Sequence, residues 1–137
     1  MQNKIALVLG QFHKVETDEM RDEAEKTARE CGMEVVTEVC IPGMMEAPLA
    51  VKRLLCRDDI DGVVVLGIIE RGKTKHGIVM AQAVTHALIA LQLECMRSIG
   101  MGILGPDIIP SQIPARVRPY ARAAAMAVHH MLTMRQL

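Results

Sequence analysis

Residues Gly62-Val63-Val64-Val65-Leu66 form an unbroken apolar run that passes into Gly67-Ile68-Ile69-Glu70-Arg71-Gly72-Lys73-Thr74-Lys75-His76 and then into a long helical pattern. A run that is apolar at every position, not at alternate ones, predicts a strand covered on both faces, as in a parallel sheet between helices. The segment after it packs two glycines, a hydroxyl, three cations and a histidine into one strand-to-helix turn. Cations there oppose the helix dipole, which already places about half a positive charge at that end. Arg71, Lys73 and Lys75 fit the position if an anion, most simply a phosphate, sits between them and the free N–H groups of the first helical turn. A solvated basic loop is the competing reading. The glycines and the abutting His76 favour an active-site turn.

Apolar runs alternate with helical patterns four times along the chain. The first strand is Ile5–Leu9, ending at Gly10. A helix follows over about Thr17–Cys31, with Thr17 or Asp18 as cap and Gly32 as stop. Glu34–Ile41 partly alternates polar and apolar residues, as an edge strand would, and Pro42-Gly43 ends it. The second helix begins near Pro48 and carries Leu49, Val51, Leu54 and Leu55. Gly62–Ile69 is the central strand, and the third helix spans about Lys75–Met96. The fourth strand, Met101–Leu104, is closed by Gly105-Pro106. Pro106, Pro110 and Pro114 keep the next loop irregular before a last helix over about Ala115–Thr133. With right-handed crossovers this pattern predicts a three-layer α/β/α sandwich on a four-stranded parallel, doubly wound sheet, with residues 1–137 as one domain. Ligands in such folds bind beyond the carboxyl ends of the strands, where Gly10, Gly43, the Gly67–Gly72 segment and Gly105 converge.

Composition narrows the function classes. The 137 residues are half apolar with a formal net charge of zero, which argues against a general polyanion binder. One Phe, one Tyr and no Trp leave few stacking surfaces for single-stranded nucleic acid. The first strand's five apolar residues are too short a run for a signal h-region, and no other segment reads as membrane-spanning, so the expected location is cytoplasmic. Cys31, Cys40, Cys56 and Cys95 are widely spaced without a Cys-x-x-Cys, which predicts buried reduced thiols. Eleven methionines beside two aromatics imply a core filled by Met, Leu, Ile and Val, with some Met at subunit contacts.

Several side chains are candidates for chemistry. Phe12, just past the first strand, is placed either as a platform for a flat ring or as a cap on the core, and His13 beside it as a surface residue. Met44, Met45 and Glu46 lie at the mouth of the second strand. Glu46 can accept from a polyol or amine and also suits a helix N-terminus. At the start of the third helix the dipole favours neutral imidazole, which readies His76 to accept a proton. Arg116, Arg118 and Arg122 surround the start of the last helix, where one guanidinium can grip a phosphate bidentately. No His/Asp/Glu spacing suggests a metal, and Gly100-Met101-Gly102 precedes a strand, so nucleotide motifs are weak.

At these residues the chain resembles the lumazine synthase family, its archaeal branch in particular. The resemblance runs nearly end to end: Phe12, Ile41-Pro42-Gly43-x-x-Glu46-x-Pro48-Leu49-Ala50, Val65-Leu66-Gly67, Gly72-x-Thr74-x-His76, Gly105-Pro106 and Arg116. It implies a flavodoxin-like sheet and the condensation of 5-amino-6-(D-ribitylamino)uracil with 3,4-dihydroxy-2-butanone 4-phosphate. The products would be 6,7-dimethyl-8-ribityllumazine, phosphate and water, formed in riboflavin biosynthesis without cofactor or metal. Phe12 would stack on the pyrimidine. Met44, Met45 and Glu46 would hold the ribityl chain, and Ile69 and Glu70 would line the substrate site. Lys73 and Thr74 would bind the phosphate, His76 would move the proton, and Arg116 would reach the phosphate across a subunit boundary in a pentamer or an assembly of pentamers. Nucleic acid and membrane are not implied as partners. The chain departs from the family pattern at Met45, Glu70, Gly77 and Ile78. Archaeal riboflavin synthase shares the Pro-Gly and Gly-Lys patterns but not His76, and a non-catalytic flavin- or lumazine-binding assembly protein is the reading from another class.

Overall fold

The computed structural model describes residues 2–134. Strands β1 (Asn3–Gly10), β2 (Met33–Ile41), β3 (Gly62–Glu70) and β4 (Ser98–Ile108) form one parallel sheet in the order β2-β1-β3-β4. Helices α1 (Lys14–Glu30) and α4 (Val117–Met134) cover one face, and α2 (Ala47–Leu55) and α3 (His76–Cys95) cover the other. This is the doubly wound, three-layer arrangement, with β2 at an edge and β3 inside.

The two faces are separated residue by residue. Ile5, Leu7 and Leu9 of β1 and Val64, Leu66 and Ile68 of β3 point to α1 and α4. Ala6 and Val8 of β1 and Val63, Val65 and Ile69 of β3 point to α2 and α3. Side chains on a strand alternate with a period of two, so an unbroken apolar run supplies both cores at once. Each such burial contributes roughly 1.5–3 kcal/mol.

On the α4 face the strands carry glycines where the helix comes closest. A Cβ at Gly62 would meet Val128 Cγ1 at 2.9 Å, and one at Gly100 would overlap the Ala124 carbonyl. The Gly100-Met101-Gly102 segment thus serves helix-on-sheet packing. Arg122 reaches Glu30 at 3.0 Å, and Arg118 reaches Glu23 at 3.5 Å, so both arginines tie α4 to α1 and are not directed at a ligand.

Several boundaries differ from the sequence pattern for local reasons. α1 begins at Lys14, three residues early, because the His13 carbonyl accepts from the Thr17 N–H at 2.9 Å. Its cap is His13 in the left-handed region, and neither Thr17 nor Asp18 caps it. β4 does not stop at Gly105-Pro106. The chain bulges there and pairing resumes at Ile108, which lies opposite Glu70. The cysteines are not buried: Cys40, on the edge strand, and Cys56, just past α2, are exposed, while Cys31 and Cys95 are half-buried. α3 is long and apolar enough by length and composition to cross a membrane, contrary to the sequence reading. It is nevertheless the crossover between β3 and β4, and it seats Ala81, Val84 and Leu88 on the sheet.

At the outer edge, Glu38 of β2 is pushed up to about 7 by a shared hydrogen bond with Glu25 of α1, by partial burial and by the Glu25 charge, with Arg21 opposing. A carboxyl raised above its unfolded value of about 4.3 stabilises the fold below that pH and loses the contribution as pH rises through 7. Glu38→Gln keeps a hydrogen bond without the titration. Its thermal midpoint, compared with the parent by calorimetry, should be similar at pH 5 and higher at pH 8, whereas a difference independent of pH would contradict the shared proton.

Candidate active site

The β3–α3 turn and the β4 bulge enclose a cavity of about 230 Å³ lined by Arg71, Gly72, Lys73, Thr74, Lys75, Gly77, Ile78, Pro106 and Asp107. The bulge exists because Ile68 pairs with Leu104 while Glu70 pairs with Ile108, leaving Gly105, Pro106 and Asp107 to swing outward. The Arg71 N–H donates to the Ile108 carbonyl at 2.8 Å and pins the two walls together. Thr74 Oγ1 accepts from the His76 N–H at 3.2 Å, which shapes the approach to α3. His76 is the first residue of α3 and is exposed at the same turn. Three cations, a hydroxyl and a helix N-terminus therefore converge on one small cavity, an arrangement whose charge and N–H groups suit an anion.

A second group of residues gathers at the ends of β1 and β2. Phe12 is 70% exposed, so it does not cap the core. Its ring lies against Gly43, where a Cβ would come within 3.0 Å of Cε2. Glu46 Oε1 accepts from the Gly43 N–H at 3.0 Å, which fixes the short turn Met44–Glu46 and leaves its other oxygen free of intrachain partners among the described hydrogen bonds. Met44 is buried and lays its thioether over Gly10 and Gly67, whereas Met45 is exposed. A Cβ at Gly67 would overlap Met44 Sδ outright. Only glycine at that position lets one side chain seal the carboxyl ends of β1 and β3 together. Ile69 is buried in the α2/α3 core, so it offers a ligand only its backbone.

Arg116 is not brought to its own chain's cavity. It is exposed, and its Nη1 donates to the Gln112 carbonyl at 2.8 Å. Two contributors escaped the sequence reading. Asp107 lines the cavity with φ 64, and an aspartate after Gly-Pro is a recognisable signal for that left-handed conformation. His13 Nε2 lies 2.8 Å from Glu70 Oε2, joining the β1–α1 connection to the end of β3. Nothing local in the sequence joins residues 57 positions apart. Among the described residues no three His, Cys, Asp or Glu side chains are grouped to hold a metal.

Fold and site together define a doubly wound α/β protein that presents a cationic, glycine-bearing turn and a histidine at the carboxyl edge of its sheet. Comparison with known proteins narrows that class. Residues 2–136 match the family described as 6,7-dimethyl-8-ribityllumazine synthase. The chain is 37% identical over 129 residues to the protein so named from Staphylothermus marinus, spanning 94% of this chain and 86% of the relative. It is 37% identical over 134 residues to that of Methanopyrus kandleri, spanning 98% and 95%. With that of Metallosphaera sedula it shares 38% identity over 135 residues, spanning 98% and 89%. The chain belongs to the 6,7-dimethyl-8-ribityllumazine synthase family.

The Met44 seal generates a direct test. Gly67→Ala should destabilise the fold by about 1–3 kcal/mol, the usual range for overpacking a filled site. Met44→Ala added to it should cost much less than in the parent chain, because the offending thioether is gone. Denaturant titration of the four proteins reads the coupling, and strict additivity would rule out the contact.

Proposed function

We propose that this chain condenses 5-amino-6-(D-ribitylamino)uracil with 3,4-dihydroxy-2-butanone 4-phosphate to 6,7-dimethyl-8-ribityllumazine, with residues 1–137 acting as one catalytic domain in the cytoplasm. The observation that carries the reading is the juxtaposition at one turn of a cationic, helix-terminal cavity and His76. The names of the relatives agree with it and do not favour a riboflavin synthase or a non-catalytic binding protein.

The chemistry sets requirements that these residues meet. Two C–N bonds form, two waters are lost, and phosphate leaves after a proton is taken from the neighbouring carbon. Lys73, Thr74 and the free N–H groups opening α3 suit the phosphate, and their fixed dipoles favour the charge that builds on it as it departs. His76, beside them, is the group we assign to proton transfer. Phe12 is suited to cover the pyrimidine. Glu46 with the backbone of Met44 and Met45 is suited to the ribityl hydroxyls, and Ile69 and Glu70 would present backbone to the ring. Mixing the two substrates and recording the lumazine chromophore tests the activity, and no chromophore would defeat the proposal. His76→Ala should slow turnover about a hundredfold with little change in substrate binding. Unaltered turnover would remove His76 from the proton-transfer role.

The site is completed, in this reading, by a neighbour in a closed homo-oligomer, a pentamer or an assembly of pentamers. α3 supports it: Val79, Ile89 and Leu93 are exposed apolar residues, and Met96 follows them just beyond the helix. A helix this apolar needs a second covering surface. Arg116, placed outside its own cavity, is free to serve the next subunit's phosphate. Arg116→Ala should weaken binding of the four-carbon phosphate roughly ten- to hundredfold, the scale of a charge-assisted bidentate contact. Co-assembling it with His76→Ala subunits should restore activity, since some sites then receive an intact pair. A monomeric mass by light scattering, or no restoration on mixing, would overturn the shared site.

A further inference from the structure

Phe12 poses a mechanical problem. Its ring is mostly exposed, and its contact with Gly43 has no side chain behind it, so its place depends on how residues 10–13 are held. One anchor is the Gln11 N–H, which donates to the Ile41 carbonyl at 2.9 Å. The other is His13. This residue sits at φ 59 and ψ 51, a left-handed conformation uncommon for a residue with a Cβ. What it meets there is Glu70, with His13 Nε2 at 2.8 Å from Oε2 and both side chains about one-third exposed or less. Glu70 is itself fixed, as the last residue of β3 opposite Ile108, immediately before the Arg71 N–H that pins the cavity wall.

We propose that the His13–Glu70 pair is a positioning device that holds Phe12 over the ring site and ties it to the wall of the phosphate cavity. The pair crosses from the β1–α1 connection to the β3 terminus, so it spans the two halves of the site. His13 and Glu70 flank the machinery without being the reacting groups. The inference rests on the activity proposed above, because the ring that Phe12 covers is the pyrimidine of that reaction. It assigns the Glu70 side chain a role distinct from any contact its backbone makes with substrate.

The test is steady-state kinetics on the full-chain assembled enzyme with Glu70→Ala, Glu70→Gln, Phe12→Ala and the Phe12→Ala/Glu70→Ala double variant. Glu70→Ala should raise KM for the ribitylaminouracil about three- to tenfold, the scale of one partly exposed hydrogen bond, and leave KM for the four-carbon phosphate within twofold. Glu70→Gln keeps an acceptor for the His13 N–H and should recover most of the loss. In the Phe12→Ala background, Glu70→Ala should add nothing further. Equal rises in both KM values, or full additivity with Phe12→Ala, would overturn the proposal. Should Glu70→Ala not assemble, His13→Ala breaks the same pair from the other end, with the same expectation. Amide hydrogen exchange at Gln11 and Thr17, whose N–H groups donate to the Ile41 and His13 carbonyls, reads the device without turnover: it should quicken in Glu70→Ala, and unchanged exchange would also overturn it. Wild-type protein that makes no lumazine, with exchange quickened as expected, would fell the assigned reaction and spare the device.

Discussion

The burial of β3 on both faces is the constraint from which the rest of the molecule follows. Its backbone donors and acceptors are met by β1 on one side and β4 on the other, and its side chains feed both cores. No polar group can stay on such a strand without a partner, so everything ionic is displaced to its carboxyl end. There Glu70, Arg71, Lys73 and Lys75 appear within six residues, and α3 begins at once. A central apolar strand and a polar, cation-rich edge are two consequences of one topology.

The site is then assembled from the ends of all four strands with little dedicated material. β4 contributes through a bulge, which moves Pro106 and Asp107 into the cavity wall without breaking the sheet. β1 contributes Phe12 and His13 on a connection short enough for His13 to serve as the helix cap. β2 contributes the turn that sends Met44 inward and Met45 and Glu46 outward. Met44 lies over Gly10 and Gly67, separating the apolar core from the polar edge. A flexible, unbranched side chain suits that position because two glycine surfaces leave an irregular gap.

The helices divide their labour in the same economical way. α1 and α4 face each other through Arg118 on the buried Glu23 and through the exposed Arg122–Glu30 pair, which adds little stability by itself. α3 has one such pair, Glu94 with Lys52 of α2 at 2.9 Å, and its exposed side mixes polar and apolar residues. It covers the sheet with a few residues and leaves the rest of its apolar surface outward. One chain therefore leaves apolar residues of α3 uncovered and holds Arg116 away from its own cavity, and both features agree with the proposed assembly of copies.

What could be read from the sequence was what periodicity and turn chemistry encode locally. The unbroken run at residues 62–66, the weaker alternation of β2 and the glycine stops of β1 and β2 specified a parallel sheet with β2 at its edge, because burial on one or two faces leaves a direct imprint on residue pattern. The basic turn before His76 was equally legible, since like charges at a helix N-terminus are locally unfavourable and so stand out. Tertiary structure alone decided the continuation of β4 past Gly105-Pro106, the burial of Met44 against the outward turn of Met45, and the pairing of His13 with Glu70. Each depends on atoms brought together from distant parts of the chain: the carbonyl of Ile108 facing Arg71, the bare backbone of Gly67 beneath Met44, and the end of β3 beside the cap of α1. Local pattern determines which face a residue takes. Which neighbour it meets there is set by the crossovers, because the sequence separation of two strand ends carries no information about their distance in the sheet.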